Sequence, residues 1–188
     1  MSVAPASRTA LLPARINDLA LLAMMLALAA ILTMAMVLQY GYGEAPCPLC
    51  LLQRIAMFGV CFGLMLHFRH GESVRNTGLS TLFALFLLIV SVRQTLLDIC
   101  PRPGHAYVGS AVLGLHMPVW SVLIALAVMT GFAVKLAVLG SEGLRDAHPS
   151  PVIKRTAGVS GLYVILLCGV NLASVMAQCG LGACRIAG

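Results

Sequence analysis

The sequence predicts an all-α, polytopic membrane protein, and three observations carry that prediction. The chain of 188 residues is 60% hydrophobic and only 10% charged, with a mean hydropathy of +0.98, which is too apolar for a domain dissolved in water. Its apolar residues gather in five runs of about 20, the length that crosses a hydrocarbon core roughly 30 Å thick. In lipid the backbone must satisfy its own N–H and C=O groups, so each run is a helix. The net charge of +6 comes from basic residues scattered singly at helix ends. It therefore reads as topology, with membrane lipid as the surroundings and no nucleic-acid surface.

Residues 1–18 carry Arg8 and Arg15 and read as a short cytoplasmic tail. The first run, Leu19 to Leu38, is longer than the apolar core of about 7 to 15 residues in a secretory signal, so it is an uncleaved membrane helix. Gln39 to Pro46 is a Gly- and Pro-containing loop, with Tyr40 and Tyr42 suited to the membrane interface. The second run, Leu49 to Leu66, is interrupted near its start by Gln53 and Arg54, and it ends at His67-Phe68-Arg69-His70-Gly71. The third, Leu79 to Leu97, carries Arg93 and Gln94 near its far end and stops at Cys100-Pro101-Arg102-Pro103-Gly104, where the prolines and glycine forbid continuation. A fourth begins near Pro118, a good first-turn residue, with Trp120 as an interface anchor, and runs to Leu139. Residues 140–156 are polar. The fifth run, Ala157 to Ala177, leads into the tail Gln178-Cys179-Gly180-Leu181-Gly182-Ala183-Cys184-Arg185.

Five crossings from a cytoplasmic start place that tail outside. The inner segments then hold Arg8, Arg15, Arg69, Arg75, Lys135, Arg145, Lys154 and Arg155, against Arg54, Arg93, Arg102 and Arg185 toward the outside, as the positive-inside rule requires. Cys47, Cys50, Cys100, Cys179 and Cys184 all fall on the outer side, where disulfide chemistry is the natural use of thiols. Cys61 and Cys168 lie inside apolar runs and read as small packing residues.

Cys47-Pro48-Leu49-Cys50 is a C-x-x-C pair at the mouth of the second helix. Unpaired N–H groups and the helix dipole favour a thiolate there. Arg54 follows four residues on, on the same helix face. An arginine just inside a bilayer calls for an anion, either the Cys50 thiolate or a reduced quinone oxygen. The bland readings remain open: a structural disulfide, arginines that only snorkel to the interface, or zinc held by Cys47, Cys50, Cys179 and Cys184. A c-type haem is disfavoured because Leu51 follows Cys50.

Cys47-x-x-Cys50 followed by Gln53-Arg54 and Ala56-Met57-Phe58-Gly59 resembles the first active-site segment of the bacterial disulfide bond formation protein B (DsbB) family. Leu113-Gly114-Leu115-His116-Met117-Pro118-Val119-Trp120 resembles that family's entry to its fourth helix, and Arg93 stands where the family carries an arginine. The resemblance spans roughly residues 16–140. It implies a DsbB-like four-helix domain over 19–140, a cytoplasmic connection at 141–156, and an added fifth helix with a periplasmic cysteine tail at 157–188, in the bacterial inner membrane. It further implies a thiol oxidase. A periplasmic thioredoxin-like dithiol partner similar to DsbA passes electrons to a second cysteine pair, then to Cys47–Cys50, then to ubiquinone or another membrane quinone near Arg54 and Arg93.

The chain departs from that family between the third and fourth helices, where a long loop normally holds both cysteines of the second pair and only Cys100 is present here. Cys100 could pair with Cys179 or Cys184 across the outer face, or the tail cysteines could pair with each other; spacing does not choose. The shortened loop also admits a rival function, a DsbB-derived structural or assembly subunit of a larger membrane complex.

Overall fold

A computed structural model of the chain describes residues 8–43, 47–100, 114–139 and 149–179. It contains five α-helices: α1 (Arg8–Gly41), α2 (Pro48–His70), α3 (Val74–Ile99), α4 (Met117–Leu139) and α5 (Pro151–Cys179). All five are long and apolar enough to cross a membrane, and no strand occurs among the described residues. The all-α polytopic expectation is met. Helix α2 is the central element, packed on α3, α5 and α1, while α3 also carries α4. The added helix α5 lies against both α1 and α2.

The α2–α3 contact is close because Gly59 and Gly63 remove two side chains from one face of α2. A Cβ at Gly59 would run into the Phe83 ring, and one at Gly63 into the Ser80 hydroxyl. Small residues four apart let membrane helices approach, and van der Waals packing then holds them where lipid offers no hydrophobic drive. The Ser80 hydroxyl donates to the Val60 carbonyl at 3.3 Å across this seam. Around it, Met25, Leu28 and Leu32 of α1, Val60, Cys61 and Leu64 of α2, Leu87 of α3 and Phe132 of α4 are almost fully buried. Cys61 is thus a core residue, whereas Cys168 faces outward.

Each helix outruns the apolar stretch that announces it, chiefly at the end opposite the cysteines. There α1 reaches back to Arg8, and Asn17 and Asp18 are buried. His67 sits between Asp18 (3.4 Å from Nε2) and Glu72 (3.4 Å from Nδ1). Lys135 of α4 pairs with Glu72 at 2.7 Å and donates to Thr77 of α3 at 2.9 Å. Lys135, counted from the sequence among the inner topology charges, is therefore a buried ion-pair member that ties α4 to the α2–α3 turn.

Candidate functional site

Cys47 has extended backbone angles (φ −71°, ψ 158°) and caps α2, with Pro48 opening the helix. Proline suits that position because its missing N–H would have no helical partner anyway. The Cys47 sulfur accepts the Cys50 N–H at 3.1 Å, doing the work of a capping hydroxyl. This turn brings the two thiols together at the helix N-terminus. Both are free and half-buried.

Gln94 of α3 reaches the same place. Its amide nitrogen lies 3.4 Å from the Cys47 sulfur and 3.4 Å from the Cys50 sulfur. The Gln94 carbonyl oxygen accepts from Gln53 at 2.9 Å, and the Ser121 hydroxyl of α4 lies 3.3 Å from the Gln53 oxygen. Gln53 and Gln94 are both buried. Cys47 lies just outside the span, and its thiol is pushed up from its ordinary value by the side-chain hydrogen bond to Cys50, then by burial and by the neighbouring sulfur.

Arg54 shares α2 with Cys50, but its guanidinium turns toward α1 and α5. Nη1 donates to Gln39 (2.5 Å), to Asn171 (3.3 Å) and toward the Met36 sulfur (3.8 Å), and Nη2 donates to the Ala35 carbonyl (3.1 Å). Gln39 in turn donates to Ser174. Every one of these acceptors is neutral. Arg54 is only 8% exposed, and among the described residues no carboxylate pairs with it. The guanidinium is held in place by neutral groups alone among the described residues, a costly arrangement for a cation buried in lipid.

The remaining expected site residues lie elsewhere. Arg93 is exposed on the outer surface of α3, where it lines a shallow groove of about 710 Å³ together with Leu96 and Cys100. Cys100 is exposed. Arg93 is thus not brought to the Cys47–Cys50 pair, although its neighbour Gln94 is. The side chain of Cys179 and all of Cys184 lie outside the described residues. Sequence reasoning missed Gln39, Gln94, Ser121, Asn171 and Ser174. The available signal was an amide within an otherwise apolar run, at Gln94 and Asn171.

The family model for "Disulfide bond formation protein DsbB" matches residues 17–106. Over that stretch, a little under half of its length, the chain is similar to the DsbB family. The match takes in Cys47, Cys50, Arg54, Arg93, Gln94 and Cys100, and it stops before the Leu113–Trp120 segment. Two proteins named "Disulfide bond formation protein B" are similar. That of Chromobacterium violaceum is 37% identical over 95 residues, 47% of this chain and 57% of the relative. That of Chromohalobacter salexigens is 36% identical over 101 residues, 47% of this chain and 56% of the relative. The chain thus spans a little over half the length of these DsbB proteins. No solved structure matches it.

Proposed function

We propose that the chain is a membrane thiol oxidase of the DsbB type, which takes two electrons from a soluble dithiol protein and delivers them to a membrane quinone at Cys47–Cys50. One observation carries this reading: a C-x-x-C pair at a buried helix mouth, with an amide donor on both sulfurs and, one turn on, a buried guanidinium whose hydrogen-bond acceptors are all neutral. A structural disulfide has no use for such a cation. The half-length similarity to named disulfide bond formation proteins supports the same chemistry.

In the proposed sequence, the donor pair is Cys100 with a tail cysteine, Cys179 or Cys184. A thiolate of that pair attacks one sulfur of the Cys47–Cys50 disulfide, whose S–S bond breaks as a mixed disulfide forms. The second donor thiol then attacks the mixed disulfide. The donor pair leaves oxidised and Cys47–Cys50 holds two electrons. The donor pair regains its electrons by the same exchange with the soluble partner. Cys47 retains its proton and Cys50 carries the displaced charge, which Gln94 and the positive field of Arg54 stabilise. A bound quinone supplies a two-electron, two-proton acceptor. The residues fit it: Arg54 offers fixed positive charge, and Leu52 and Ile55 expose the same stretch of α2 to lipid. We place the protein in the bacterial inner membrane, with its N-terminus cytoplasmic and its cysteine end periplasmic.

Purified chain supplied with ubiquinone and a reduced thioredoxin-like protein is expected to oxidise the dithiol and reduce quinone in equal amounts. Cys47→Ala and Cys50→Ala are each expected to abolish turnover. Turnover that survives both substitutions would sink the assignment. A disulfide pattern that stays inert toward dithiols, combined with stable co-purification in a larger complex, would favour the assembly-subunit reading instead.

A further inference from the structure

We propose that Gln94 is the hydrogen-bond donor that sets the reduction potential of the Cys47–Cys50 pair, held to that task by a side-chain relay from Ser121 through Gln53. The proposal rests on the reading of Cys47–Cys50 as a redox pair, but it does not depend on which oxidant accepts the electrons.

An amide buried in a membrane-spanning helix is unfavourable unless its polar atoms are partnered. Gln94 is 5% exposed, and all its partners are in this site. Its oxygen is taken by Gln53, and its amide nitrogen lies 3.4 Å from each of the two sulfurs. The oxygen contact fixes which end of the amide faces the cysteines. The Gln53 nitrogen donates to Gln94, and its oxygen lies 3.3 Å from the Ser121 hydroxyl, which shares its proton with the Met117 carbonyl at 3.2 Å. Three helices therefore converge to aim one NH₂ group at two sulfur atoms. A structural amide needs only a backbone carbonyl of the next turn, and Thr95 beside it satisfies its own hydroxyl that way on Ser91.

The donor acts on one redox state more than on the other. Reduction of the disulfide breaks the S–S bond, takes in two electrons from a dithiol, and leaves one sulfur as a thiol and one as a thiolate once a single proton has been taken up. A thiolate accepts an N–H far more strongly than a disulfide sulfur does. Gln94 thus stabilises the reduced pair and makes the disulfide a stronger oxidant, since a stabilised reduced form raises the potential.

The test is the potential itself, read by equilibrating the full-length protein in detergent with dithiothreitol or glutathione buffers and alkylating free thiols. Gln94→Met, close in shape but without a donor, is expected to shift the thiol–disulfide equilibrium roughly tenfold toward the disulfide, about 30 mV more negative for this two-electron couple. Gln53→Met, which only releases the Gln94 carbonyl, is expected to shift it the same way by roughly threefold. Gln94→His keeps an N–H and is expected to recover most of the wild-type value. An unchanged potential in folded Gln94→Met overturns the proposal. If that variant fails to fold, an unchanged potential in Gln53→Met overturns it equally. Because no quinone is present, a shifted potential in a protein that reduces no quinone would leave this inference standing and reject the proposed function.

Discussion

Arg54→Met is expected to slow quinone reduction by about 100-fold while leaving thiol–disulfide exchange at Cys47–Cys50 within a few fold of wild type. The magnitude follows from the environment. A fixed cation beside a developing anion in a water-poor site is worth roughly two to three orders of magnitude in rate, because nothing must reorganise when the charge appears. Arg54 is buried and its contacts are amide, carbonyl and thioether groups, so among the described residues none of its charge is spent on a carboxylate. Methionine preserves the length of the side chain, and Gln39 keeps its bond to Ser174. Arg54→Lys keeps the charge but loses the planar fork that reaches α1 and α5 together, and it is expected to recover only part of the rate. Stopped-flow absorbance of the quinone, set beside exchange with a dithiol in the absence of quinone, separates the two effects. Equal loss in both would show that Arg54 merely holds the helices together.

The second large effect lies at the opposite end of the bundle. Lys135→Met is expected to destabilise the protein by about 3–5 kcal/mol, since removing one partner of a buried pair strands the other charge. Among the described residues Glu72 would be left facing His67 alone, and its second oxygen has no hydrogen bond there. The double variant Lys135→Met with Glu72→Gln removes both charges and is expected to regain much of the loss. Thermal unfolding in detergent checks both. A single variant as stable as wild type would mean that the pair is solvated.

These two sites differ in how plainly the sequence announces them. The five helices were legible because apolar runs of membrane length admit little else, and Cys47, Cys50 and Arg54 were legible because thiols and a cation at the edge of such a run are chemically conspicuous. The helix ends were not. Asp18 fell in the polar tail and Lys135 among the topology charges, and only their pairing with His67 and Glu72 in three dimensions buries them. Nor was the seat of α5 legible, because lipid-facing and protein-facing sides of a membrane helix have nearly the same composition. Asn171 and Ser174 carried the clue, yet a polar residue in an apolar run says that a partner exists without saying which. Arg54 shows the limit most clearly. Its spacing from Cys50 predicted a shared helix face, and the structure places its hydrogen bonds on α1 and α5 instead of on the thiols.

The account stands on Cys47 and Cys50 being the pair that hands electrons to a quinone, and a single anaerobic turnover tests that directly. Fully reduced protein is mixed with excess ubiquinone, quinone loss is followed by absorbance, and the products are mapped by non-reducing peptide analysis after alkylation. The account predicts that the first quinone equivalent lost per chain appears together with a Cys47–Cys50 disulfide, and that Cys50→Ala shows no such loss. Quinone reduction with Cys47 and Cys50 both still alkylatable would contradict it.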